Sequence, residues 1–154
     1  MLKLDITAWI RLHPRLTAAA MSSVQIVFLG IALSRGLDYL LPPVPSTAAI
    51  TYVEGIIPVE IWGAGMTAAA VIAFLGLWWT AACPIALTAC AHAALTGLYL
   101  GFGLSGTFDA LSHWPPEGWR TGLAWIGTAC IHGILGNASW VAWQLQREER
   151  GLRR

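Results

Sequence analysis

The sequence predicts an all-α integral membrane bundle of four transmembrane helices, preceded by a short N-terminal interfacial helix. Three observations carry that expectation. Of 154 residues, 56% are hydrophobic and only 11% charged, whereas soluble domains hold about 25% charged residues. The stretch from Ile61 to Phe108 contains no charged side chain, and at about 1.5 Å per residue it is roughly twice as long as one bilayer crossing. The basic residues, finally, gather at the two chain ends. The mean hydropathy of +0.62 and the net charge of +1 argue against a disordered tail, a coiled-coil rod or a nucleic-acid partner.

Residues 1–16 mix charge with apolar groups. Leu2, Ile6, Trp9 and Ile10 fall at helical spacing with Lys3 and Arg11 elsewhere on the wheel, as in a helix lying in the headgroup layer. Pro14 ends it. The first span, 17–41, is uncharged from Ala18 to Leu33 and carries Arg35 and Asp38 near its far end, three residues apart on one helix face and able to neutralise each other. Pro42, Pro43 and Pro45 stop it. The second span, 59–79, opens on Pro58 and Glu60: proline suits a first turn, and a carboxylate there complements the helix dipole. Trp78 and Trp79 close it at an interface. Pro84 opens the third span, 83–104. A loop, 105–120, holds Asp109, His113, Glu117 and two tryptophans, and leads to the fourth span, 121–145. Residues 146–154 form a basic tail.

Charge orients the four spans. Lys3, Arg11 and Arg15 precede the first, and Arg147, Arg150, Arg153 and Arg154 follow the last. An even number of spans puts both termini on one side, and the positive-inside rule makes that side cytoplasmic. Trp9, Trp78, Trp79, Trp140 and Trp143 then mark an inner belt, and Trp62, Trp114 and Trp119 an outer one. No cleavable signal peptide is expected, because the first apolar run is too long for an h-region.

The sharpest internal feature is an echo: Thr88-Ala89-Cys90-Ala91-His92 in the third span returns as Thr128-Ala129-Cys130-Ile131-His132 in the fourth. Counted from the cytoplasmic ends, both histidines lie near mid-span, at depths expected to differ by roughly 6 Å. An ionisable group there is a functional-site hypothesis by default. Three readings compete. His92 and His132 could be the two axial ligands of a haem b. They could handle protons, although no membrane-embedded carboxylate accompanies them. The favoured reading makes them packing groups, bonded to Thr88, Thr96 or Thr128 one turn away, a backbone carbonyl or each other, with no cofactor. A Cys₂His₂ metal site is disfavoured, since residues i and i+2 of a helix point about 200° apart. The odd count of Cys83, Cys90 and Cys130 in apolar surroundings reads as small buried residues.

Gly97 and Gly101, with Gly133 and Gly136, are expected to let the third and fourth backbones approach, and Gln25 and Thr67 to turn inward. No nucleophile–base pair, phosphate loop or paired carboxylate occurs, so no enzymatic activity is expected.

Pro58-Val59-Glu60-Ile61-Trp62-Gly63, and His13-Pro14-Arg15 before an alanine-rich span, resemble span boundaries in small multi-span membrane proteins of bacteriophages, nearest to those of actinobacterial phages, some of them holin-like. That resemblance implies a phage or prophage protein in the cytoplasmic membrane of a bacterium, and assigns no site residue. The leading expectation is a non-enzymatic, self-associating, holin-like or otherwise membrane-active protein, partnered by lipid and by its own copies. The alternatives are an accessory subunit docked in a larger membrane complex, and a bis-histidine haem protein.

Overall fold

The computed structural model describes residues 18–41, 57–79, 82–112 and 119–152. Among them the chain is all-helical, in four helices: α1, Ala18–Leu40; α2, Val59–Trp78; α3, Ala82–Ser112; and α4, Trp119–Leu152. Within α1, α2 and α3 the segments Met21–Leu40, Val59–Trp78 and Ile85–Ser112 are long and apolar enough to cross a membrane. The expected interfacial segment 1–16, together with Glu54, His113 and Trp114, lies outside the described residues.

The helix boundaries follow local chemistry. Pro58 caps α2, with Glu60 in its first turn, and the Trp79 backbone turns extended while its N–H donates to the Leu75 carbonyl at 3.1 Å. Two boundaries differ from expectation. α3 continues to Ser112 through the segment read as loop: Gly106 and Ala110 are buried there, no proline intervenes before Pro115, and the Ser112 hydroxyl donates to the Phe108 carbonyl at 2.8 Å. α4 likewise continues through the basic tail to Leu152, because Gln, Arg and Glu are good helix formers and nothing there breaks the ladder.

Consecutive helices pack side by side, most extensively α3 on α4. Side chains close the ring between α1 and α4, where Gln25 reaches Ser139, Phe28 meets His132 and Arg35 covers Trp125. Two glycine–glycine crossings bring backbones into near contact. A Cβ at Gly36 in α1 would lie 2.7 Å from the Thr67 nitrogen and 2.9 Å from the Gly63 carbonyl of α2. The α3–α4 crossing repeats the pattern: a Cβ at Gly122 would lie 2.7 Å from the Thr107 nitrogen and 2.9 Å from the Gly103 carbonyl. At each, a threonine four residues beyond a glycine fills the gap that the missing side chains leave.

The core is small and apolar, with Leu29, Ala32, Met66, Ala70, Ala73, Leu95 and Tyr99 fully buried. The outside is apolar too. Val27, Leu75, Leu104 and Ile134 are more than half exposed, at 58%, 54%, 55% and 66%. A helix of a soluble bundle carries polar groups on that face. These do not.

Candidate functional site

The α3–α4 packing brings the two echoed histidines together at the centre of the bundle. Both rings are fully buried, and Nδ1 of His92 lies 2.9 Å from Nδ1 of His132. The backbones keep the depth offset of roughly 6 Å expected from the sequence: the α4 residue level with His92 is Gly136, one turn along from His132, where a Cβ would stand 3.2 Å from the His92 Cβ. The two side chains lean along the helix axis to meet. A hydrogen bond needs a donor and an acceptor, so one ring carries its proton on Nδ1 while the other presents a bare Nδ1. Tyr99 stacks on His132 with ring centroids 5.3 Å apart, and Phe28 meets it edge-on at 6.1 Å. Those contacts hold the ring planes.

Several polar atoms in this interior have no partner among the described residues: Nε2 of both histidines, the Tyr99 hydroxyl, Trp62 Nε1, and the hydroxyls of Thr67 and Thr107. Each such group costs about 1–3 kcal/mol when left unsatisfied. The polar groups share a face. On α4, Trp125, His132 and Ser139 are spaced by seven residues, as are His92 and Tyr99 on α3, so they recur every two turns along one stripe. Toward the Ala18 end of α1, the Gln25 amide donates to the Ser139 hydroxyl at 3.3 Å.

Above the histidines, toward the opposite end, lies an aromatic cluster built from all four helices. Phe102 stacks on Tyr39 and Trp125 at 5.6 and 5.1 Å and meets Trp62 at 4.8 Å, and Arg35 lies over the Trp125 ring, 4.0 Å from its centroid. Arg35 therefore turns into the bundle and forms no ion pair with Asp38. Trp62, expected in an interfacial belt, also turns inward, because Gly101 leaves it room: a Cβ there would stand 3.1 Å from the indole.

The other residues singled out in the sequence are distributed as follows. Thr96 and Thr128 donate to carbonyls of their own helices, those of His92 and Ala124, at 2.8 and 2.9 Å, and not to the histidine rings. Thr88 is buried on the same face of α3 as His92. Gly97 has open space where a side chain would be, so it takes no part in the close approach, while a Cβ at Gly133 would make ordinary contact with Thr96 at 3.8 Å. Thr67 turns inward against Gly36. Cys90 and Cys130 are exposed on the outside of the bundle, not buried. Two residues from a buried histidine on a helix is nearly the opposite side. Among the described residues no group of three or more His, Cys, Asp or Glu could hold a metal ion.

A second feature escaped the sequence reading. Ala89, Cys90, Ala93 and Thr96 of α3, with Gly133, Gly136, Asn137 and Trp140 of α4, line an open groove of about 460 Å³ on the bundle's outer face. Asn137 is exposed in it, and its carboxamide has no hydrogen bond among the described residues. It is the chain's single asparagine, and its place inside an uncharged segment was the available signal. Comparison of the chain with protein-family models, with curated proteins and with solved structures returned no match.

Proposed function

We propose that the protein is a non-enzymatic integral membrane bundle of four crossing helices that assembles with copies of itself through the α3–α4 groove. The observation that carries this reading is Asn137. In a membrane its carboxamide would face hydrocarbon with both donors and its acceptor unmet, several kcal/mol unfavourable. A second copy related by a two-fold axis supplies an identical carboxamide, which both donates and accepts. The alanines and glycines beside it admit a neighbouring helix closely.

Support for four crossings comes from the apolar exterior and from the three long apolar helices. The fourth, α4, is uncharged from Thr121 to Leu145, about 37 Å of helix. Its hydropathy is lowered by His132 and Ser139, which face inward to partners and would meet no lipid. Trp140 packs against Trp143 in a tilted pair, centroids 4.6 Å apart, and Arg147 covers Trp143 at 4.8 Å, the grouping expected of a headgroup-level anchor. Trp78 and Trp79, exposed at the same end, support an interface there, and the basic Arg147 and Arg150 beside it favour the cytoplasmic side. The phage-type resemblance extends the reading to a bacterial cytoplasmic membrane and a holin-like, membrane-active role.

The test is the oligomeric state of the full chain in lipid nanodiscs, with Cys83 and Cys130 replaced by Ser so that only Cys90 reports. Mild oxidation is expected to trap a Cys90–Cys90 dimer, and Asn137→Leu to reduce it. A chain that is monomeric at all protein-to-lipid ratios refutes self-association. Stoichiometric foreign chains retained from the native membrane in place of a second copy would make it a subunit of a larger complex. Depolarisation of cells on controlled expression tests the membrane-active part separately.

A further inference from the structure

The shared hydrogen bond makes the two unpartnered histidine nitrogens chemically unlike. In a neutral imidazole only one nitrogen bears hydrogen. The ring that donates from Nδ1 therefore has a bare Nε2, and the ring that accepts at Nδ1 has an Nε2–H. Both Nε2 atoms are buried without a partner. The pair thus presents one free proton acceptor and one free proton donor, joined through a 2.9 Å contact.

We propose that His92 and His132 form a proton relay at the centre of the bundle. A proton bonds to the bare Nε2 of the first ring. That ring's Nδ1–H passes its proton to Nδ1 of the second ring, and the second ring's Nε2–H releases its proton. One proton enters and one leaves, no electron moves, and each ring ends in the other's tautomer. A second transfer in the same direction requires both rings to turn over, and Tyr99 and Phe28, packed against His132, make that the slow step.

The surroundings suit such a relay. α2 presents Met66, Ala69, Ala70 and Ala73 to the core, with no group there to trap a charge. Along the polar stripe, Ser139 and Gln25 lie about 10 Å to one side, and the Tyr99 hydroxyl and then Arg35 lie on the other. Steps of that length exceed the reach of a side chain, so the relay requires water to bridge them. The relay rests on the membrane reading but not on self-association.

The experiment uses the full chain in liposomes loaded with a pH-sensitive dye, a potassium diffusion potential driving protons inward. Wild-type protein is expected to acidify the lumen faster than protein-free vesicles, more slowly in D₂O, with a co-encapsulated large dye retained. His92→Gln and His132→Gln should each fall to the protein-free rate, while Asn137→Leu keeps the wild-type rate per chain, separating this proposal from failure of the groove. Undiminished flux in either histidine variant overturns the relay, as does wild-type flux equal to empty vesicles or accompanied by loss of the large dye. Where the variants fail to fold, ¹⁵N spectra of histidine-labelled wild-type protein decide. One ring of each tautomer is expected, and two rings of one tautomer refute the proposal.

Discussion

Gly36 and Gly30 stand six residues apart in α1 and provide a matched pair. Alanine normally favours a helix over glycine by about 0.5–1 kcal/mol. At Gly30 the added methyl group meets nothing within 4 Å, so Gly30→Ala should leave stability unchanged or raise it by that amount. At Gly36 the methyl group would lie 2.7 Å from the Thr67 nitrogen and 2.9 Å from the Gly63 carbonyl. Both are backbone atoms, so no rotamer change relieves the overlap. Reaching ordinary contact at 3.4 Å requires α1 and α2 to part by about 0.7 Å, which also loosens the Tyr39 packing beyond the crossing. Overpacking of this kind costs about 1–3 kcal/mol. The helix gain is common to both variants, so Gly36→Ala is expected to destabilise by about 0–2.5 kcal/mol net and the two variants to lie about 1–3 kcal/mol apart, the overpacking term alone. Reversible unfolding in mixed micelles, followed by the fluorescence of the nine tryptophans, measures the difference. Equal stability of Gly30→Ala and Gly36→Ala would refute the close crossing.

Three further outcomes are expected. A double-mutant cycle with Arg35→Leu and Trp125→Leu should give a coupling of about 0.5–2 kcal/mol in the same unfolding assay, the range of a desolvated cation–π contact; zero coupling would mean that Arg35 faces the headgroups. Reporter fusions at residues 50, 116 and 154 should read outside, outside and inside, and any other order removes the four-crossing topology. Purified wild-type protein should be colourless in the visible region, because two Nδ1 atoms 2.9 Å apart leave no room for an iron between metal–imidazole bonds of about 2 Å; an intense Soret band abolished by His92→Leu would instead establish the haem alternative.

Composition and the spacing of prolines made the helices legible, since an uncharged apolar run of bilayer length has few other uses. What sequence could not resolve was which way each side chain turns. Gly97 and Gly101 have the spacing of a packing motif, yet Gly97 faces open space and Gly101 accommodates Trp62. The close crossings fall instead at Gly36–Gly63 and Gly103–Gly122, pairs distant in sequence that only the packing brings together. The echo around His92 and His132 did mark the centre of the bundle. Of the partners expected for the two rings, the one observed is the other ring, because a threonine hydroxyl in a helix, as at Thr96 and Thr128, reaches its own i−4 carbonyl more readily than a ring on another helix. The seven-residue spacing of Trp125, His132 and Ser139 was a readable sign of the inward stripe. Asn137, the single asparagine, stood out inside an uncharged segment, but only the packing shows that it faces outward.

The groove and the histidine pair share a wall. Ala89, Ala93 and Gly136 line the groove from outside, and from inside a Cβ at Gly136 would stand 3.2 Å from the His92 Cβ and 3.4 Å from the Ala89 carbonyl. One layer of backbone separates the two features. The hydrogen bond between the rings has little tolerance, since lengthening 2.9 Å by about 0.6 Å takes it out of range. The spacing of α3 and α4 is held at one end by the Gly103–Gly122 crossing, where backbone meets backbone and the fit is rigid. Nearer the histidines only Gly136 and the alanines hold it, without a side chain large enough to lock. A side chain added at Gly136 would therefore push on His92 from that wall, parting the rings, whereas the exposed Asn137 carboxamide lies on the outer side of it. Packing physics thus keeps the two proposals separable: Gly136→Leu is expected to break the contact between the rings, and Asn137→Leu to leave it in place.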